Sequence, residues 1–338
     1  MLNIKLSMPG TKSNVNISQF TDNDENIVGN CQFFINTNRM EKPDFWFVIE
    51  DLDRIAETSH VPKSNLFFLT NETFWQEDYW TKPSKKGFLN QFNSVYSNYD
   101  TVPHGEKALP FLPWMINANH GDSIFENHER DKSYFTRLEN IKKSKEISMV
   151  VSNKTFSPDH QLRFDFAKSI KDHFKDKIDW YGFGVKNINQ KWEGISPYKY
   201  HIVLENKTTD FVISEKLYDS FLGLSYPIYS GAPNVFEYFP KDSLTAININ
   251  HVDESINKIE KLIENKTYEK NLEYLLAAKE QVLTTHNLFN RIVEIANTKL
   301  NNNNENKSFV RLKSVESYVK KYEFTNGVKK SFFKLMGR

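Results

Sequence analysis

The sequence predicts an α/β protein built on parallel sheets. Two observations carry this. Short apolar runs, rich in aromatic and β-branched residues, recur at 44–50, 65–70 and 146–151; they are too short for helices and read as buried strands. From about residue 148 such runs alternate with stretches of helical period, which implies crossover connections between parallel strands.

In chain order, residues 44–50 (DFWFVIE) and 65–70 (NLFFLT) are strands of an N-terminal sheet. A charged stretch at 119–145 shows no clean period. Residues 146–151 form the next strand, and Ser157-Pro158 then supplies a helix cap followed by Pro at the first helical position. Leu162, Phe166 and Ile170 recur four apart behind it and mark the buried face. Residues 178–181 read as a strand entering the turn Gly182-Phe183-Gly184, and 200–204 as another. Ser214 caps a helix whose Leu217, Phe221 and Leu224 face inward, and 225–229 returns as a strand. The expected organisation is an N-terminal domain at 1–147, an α/β domain at 148–300, and a polar linker with a basic amphipathic tail at 301–338.

Composition narrows the function. With 338 residues the chain can bury two cores, and a net charge of +1 gives no preference for nucleic acid. Aromatics at 14 % suit stacking on sugars and bases, although most such side chains fill cores. One cysteine, Cys31, excludes an internal disulfide and a cysteine zinc cluster. The start MLNIKLSMPGTKSN has no apolar signal region, and no run reaches the roughly 18 apolar residues of a membrane span. A reducing cytoplasm is the simplest compartment. Residues 308–338 hold eight Lys/Arg against two Glu, and 328–336 mixes basic with large apolar side chains. That mixture suits the inner face of an anionic membrane or a helix docked on the protein.

Chemistry concentrates between 200 and 231. Glu205 and Asn206 follow a strand, at the end where open α/β sheets bind ligands. Glu215 and Lys216 lie in the first turn of the next helix, where backbone N–H groups and the helix dipole favour a phosphate. A solvated helix start reads equally well from those two residues alone.

Taken together, Glu205-Asn206, Ser214-Glu215-Lys216 and Pro227-Ile228-Tyr229-Ser230-Gly231 resemble the signature of glycosyltransferase family 10, the α-1,3/4-fucosyltransferases. Upstream, Ser152-Asn153 and Arg163 resemble the strand end and helix-start arginine that open the family's donor domain. Thr70-Asn71-Glu72 resembles the strand ending in the catalytic glutamate, with Glu77 and Asp78 as nearby rivals, and 108–113 (ALPFLP) the segment before the acceptor loops. The resemblance covers roughly 65–250. Tyr226 stands where the family has Val or Ile, and Val212 where many members have Tyr; Phe211 beside it could substitute by stacking.

The resemblance implies a GT-B type fold of two Rossmann-like domains facing a cleft, acting without metal or cofactor. It implies GDP-fucose as donor and an oligosaccharide or glycolipid acceptor, such as an N-acetyllactosamine-like or lipopolysaccharide unit. Transfer would invert the anomeric centre, with Glu72 as base and Arg163 and Lys216 on the diphosphate. Ser152, Asn153, Ser214, Glu205, Asn206 and Glu215 would complete the donor site, binding ribose, sugar hydroxyls or neighbouring backbone. For Arg163 an ion pair with Asp159 or Asp165 is the competing reading. Lack of the N-terminal anchor usual in eukaryotic members points to a bacterial enzyme. Glu50-Asp51-Leu52-Asp53 imitates the Asp-x-Asp of metal-dependent transferases, a pattern that arises easily at strand ends. The remaining alternatives are another nucleotide-sugar donor on the same fold, or a silent nucleotide- or carbohydrate-binding protein.

Overall fold

The computed structural model describes residues 1–11, 15–22, 25–37, 40–70, 79–98, 102, 105–107, 112–118, 129–300 and 306–322. The chain divides into two compact units. The first comprises Met1–Asn16, Asn23–Ala108 and Ile292–Arg338, and the second Ile17–Asp22 and Leu109–Arg291.

The first unit carries β1 (Leu2–Ser7), β2 (Ile27–Val28), β3 (Cys31–Ile35), β4 (Phe45–Ile49), β5 (Ala56–Val61), β6 (Leu66–Thr70), α1 (Pro83–Leu89), β7 (Ser94–Ser97) and β8 (Gly105–Lys107). Among the described residues its main sheet runs β2-β3-β1-β4-β6-β7-β8, parallel except for the β2–β3 hairpin. Every residue of β4 and β6 is buried, as expected of central strands covered on both faces. Alternation sends Phe45, Phe47 and Phe67 to one face, where Phe47 and Phe67 stack at 5.0 Å. Trp46 and Phe68 point the other way, into a core with Trp80, Phe88 and Phe92. Strand β1 escaped the sequence reading because a lysine interrupts it. Lys5 is nevertheless 1 % exposed: its ammonium donates to Thr58 O (3.1 Å) and lies 4.0 Å over the Trp46 ring.

The second unit carries α2 (Lys132–Arg137), β9 (Lys145–Val150), α3 (Pro158–Phe174), β10 (Ile178–Tyr181), α4 (Lys191–Ile195), β11 (Tyr198–Leu204), α5 (Glu215–Leu222), β12 (Tyr226–Ser230) and β13 (Thr245–Ala246). Helices α6 (Val252–Glu264), α7 (Thr267–Lys270) and α8 (Leu272–Leu283) follow, and α9 (Leu288–Leu300) begins here, its residues from Ile292 onward belonging to the first unit. Its sheet, β10-β9-β11-β12-β13, is parallel throughout. The strand order reverses between β9 and β11, so their carboxyl ends open the crevice where such folds bind ligands. Finally β14 (Ser308–Lys313), read from sequence as part of the basic tail, pairs antiparallel with β5 and buries Val310 and Leu312.

Two lysine ammonium groups serve the ends of three helices. The Lys143 ammonium donates to Ser196 O and Gly223 O, both at 2.7 Å, at the carboxyl ends of α4 and α5. Lys279 of α8 does the same for Phe135 O and Leu138 O at the end of α2. Each ammonium meets the negative pole of a helix and supplies a donor to its terminal carbonyls. Burial pushes the Lys143 amine down to about 7. Lys143→Met should therefore lower stability by about 2–4 kcal/mol, the cost of leaving two buried carbonyls unpaired. Urea titration of the pure protein reads this out, and an unchanged midpoint would refute the capping role.

Candidate functional site

The site forms where β9 and β11 end. After β9, Val151 N donates to Tyr181 O (2.7 Å) and Asn153 N to Phe183 O (3.0 Å), so the chain is zipped to the turn after β10. That approach requires glycine: Gly182 has φ 140°, and a Cβ there would lie 2.4 Å from Val151 O. Ser152 faces the pocket, whereas the Asn153 amide reaches Gly184 O at 3.4 Å.

After β11, Glu205 is 4 % exposed and gathers the start of α5. One carboxylate oxygen accepts from Ser214 N (2.8 Å); the other accepts from Ser214 Oγ (2.6 Å) and the Lys216 ammonium (3.5 Å). Ser214 Oγ in turn accepts from Lys216 N (3.3 Å) as the helix cap and from Lys216 Nζ (3.0 Å). The glycine closing the Pro-Ile-Tyr-Ser-Gly strand has a role here. A Cβ on Gly231 would stand 2.6 Å from Glu205 Cγ and 2.1 Å from the Tyr229 hydroxyl.

Arg163 comes from α3 and is 6 % exposed. The buried stripe of that helix runs Arg163, Phe166, Ala167, Ile170 and Phe174: Phe166 and Ile170 lie on it as expected, while Leu162 is half-buried and Arg163 is covered in its stead. The guanidinium therefore turns inward, where Nη1 donates to Asn206 Oδ1, and not toward a surface pair with Asp159 or Asp165. Asp165 instead accepts from the Gln161 amide at 2.8 Å. Among the described residues no acceptor meets the buried Arg163 Nε, which lies beside the pocket.

The pocket, of about 320 Å³, is lined by Ser152, Arg163, Glu215 and Lys216, and also by Phe183, Lys191, His201 and Asp219. Lys191 donates to Asp219 (2.9 Å) and Glu215 (3.4 Å). Burial works to raise the Glu215 carboxyl, but Lys216 and Lys191 outweigh it and hold the group down at about 2. Burial pulls the Lys216 ammonium down, yet Glu215 and Glu205 keep it above its ordinary value. Ser148 Oγ donates to Gly194 O (2.7 Å), so it must accept from His201 Nδ1 (2.8 Å). His201 is thus neutral, lowered to about 3 by burial, with Nε2 left as an acceptor. Asp219 sits one helical turn after Glu215, a legible spacing; Lys191 and His201 carried no sequence signal.

Phe211 adopts φ 68° and packs edge-on against Tyr238 at 6.3 Å, while Val212 is buried. On the first unit, Glu72 and its rivals Glu77 and Asp78 lie outside the described residues. The strand before them ends at Thr70, whose hydroxyl donates to Glu50 (2.7 Å). Asp51 accepts from Leu52 N (2.8 Å) and Val315 N (3.0 Å), so this carboxylate of the Asp-x-Asp look-alike serves the backbone. No described helix is long and apolar enough to cross a membrane.

The second unit is thus a parallel α/β unit with the buried Arg163 and the half-buried Lys191 and Lys216 gathered at its switch point, where folds of this kind bind ligands. The sequence model of glycosyltransferase family 10 (fucosyltransferase), C-terminal region, matches residues 140–317, and the chain belongs to this family. It is 34 % identical over 86 residues to an α-(1,3)-fucosyltransferase, FucT, of Helicobacter pylori; the match spans 25 % of this chain and 17 % of that protein. Two crystal structures of α1,3-fucosyltransferase, one with GDP, align over 90 % of this chain and 91 % of theirs at 15 % identity. Their TM-scores of 0.50 and 0.51 establish a shared GT-B type fold.

Glu215 has a folded value of about 2 against an ordinary 4.5, so it adds stability above pH 4.5 that is lost as pH falls toward 2. Glu215→Gln should flatten that part of the acid limb in urea titrations at stepped pH; an unaltered slope would show that the pairing contributes nothing.

Proposed function

We propose that the chain transfers L-fucose from GDP-fucose to a hydroxyl of an oligosaccharide acceptor, with inversion and without a metal. The observation that carries this reading is Arg163, buried with an Nε that no described residue accepts from, beside Lys216 at the switch point of the second unit. A relative of the same fold has been crystallised with GDP. On this reading Arg163 and Lys216 hold the diphosphate, with Ser152 and the first turn of α5 around it. Asn206 orients Arg163, and Glu205 with Ser214 orients Lys216.

Glu72 takes the proton of the acceptor hydroxyl as that oxygen attacks the anomeric carbon. The bond from that carbon to the diphosphate oxygen breaks on the opposite side, and GDP leaves. Preorganised cations stabilise the charge that grows on the departing phosphate, which supplies what a metal ion would otherwise provide. The acceptor class is an N-acetyllactosamine-like or surface-glycan unit, made in the cytoplasm, with the basic tail at the inner membrane face.

The test is GDP release from GDP-fucose and N-acetyllactosamine in the presence of EDTA. Turnover should persist in EDTA and fall by about 10²-fold or more in both Glu72→Gln and Lys216→Ala. GDP binding without turnover would favour a silent binding protein, and loss of activity in EDTA would overturn the metal-free mechanism.

A further inference from the structure

Asp219 is 1 % exposed and lines the same pocket as Arg163 and Lys216, yet the mechanism gives it no part. Its Oδ1 is committed to Met115 N (2.8 Å), and its Oδ2 accepts from Lys191 (2.9 Å). Lys191 continues to Glu215 (3.4 Å), Glu215 to Lys216 (3.4 Å), and Lys216 to Glu205 (3.5 Å). Carboxylates and ammonium groups thus alternate in single file from the pocket wall to the proposed diphosphate cation.

Among the described residues, the charged groups lining the pocket are Lys154, Arg163, Lys191 and Lys216 against Glu215 and Asp219, a surplus of two positive charges. That surplus matches the doubly charged diphosphate of a nucleotide sugar. Removing Lys191 halves it, leaves Asp219 buried and unpaired, and leaves Glu215 to compete with the ligand for Lys216.

We propose that Lys191 is a positioning residue: it neutralises Asp219 and shares Glu215 Oε1 with Lys216, which weakens the hold of Glu215 on Lys216 and leaves that ammonium able to meet the diphosphate. The inference rests on the donor reading above and adds a residue to it. It is electrostatic, so it separates from a packing role. Lys191 should matter for a charged nucleotide and not for the uncharged nucleoside, and removing the partner carboxylate should restore what its loss takes away.

Calorimetric binding of GDP and of guanosine to wild type, Lys191→Met, Lys191→Arg and the double variant Lys191→Met/Asp219→Asn tests this. Lys191→Met should weaken GDP by about tenfold or more while guanosine stays within about twofold. Lys191→Arg should keep most of the affinity, and the double variant should recover most of the loss. Equal weakening of GDP and guanosine, wild-type affinity in Lys191→Met, or no recovery in the double variant would overturn the proposal. Wild type that binds no GDP would instead remove the donor reading itself, and this inference with it.

Discussion

The Glu205 carboxylate is the interaction on which the rest of the site depends. It stands at the end of β11 and is buried, so its charge must be met by donors. It finds three: the amide and hydroxyl of Ser214 and the ammonium of Lys216. One buried acid thereby ties a strand end to a helix start nine residues later in the chain. The placing of the capping Ser214 and the orientation of Lys216 follow from that one group, and with the Tyr229 hydroxyl it leaves room only for glycine at 231.

Around this anchor the second unit solves an electrostatic problem. A site for an anion needs cations, yet bare cations in a pocket repel one another and lose solvation. Here each is held by a neutral or acidic neighbour: Arg163 by Asn206, Lys216 by Glu205 and Glu215, and Lys191 by Asp219 and Glu215. The same logic recurs away from the pocket, where Lys143 and Lys279 end helices by filling carbonyls with a buried ammonium.

Much of this was legible in the sequence. The apolar runs at 44–50, 65–70 and 146–151 became β4, β6 and β9 with small shifts of boundary, because a continuous apolar run has few uses other than a doubly covered strand. Ser157-Pro158 and Ser214 capped α3 and α5 as the side-chain chemistry demands. Less legible were strands that break the pattern. β1 contains Lys5, and its burial depends on a carbonyl and a ring brought from distant segments. β14 reads as a basic tail because only its pairing with β5 reveals which of its residues are covered.

Local sequence determined the strand and helix identities, the capping serines, and the placing of Glu205, Asn206, Ser214, Glu215 and Lys216 at a strand end and the helix start after it. Those features follow from period, side-chain chemistry and spacing within about 30 residues, and they survive without knowing what packs where. Tertiary structure alone decided that Arg163 turns inward, that Lys191 and His201 reach the pocket, and that Asp51 serves the backbone. Each of those depends on a partner dozens or hundreds of residues away. A charged side chain carries no mark in sequence of whether it will meet water, a carbonyl or another charge.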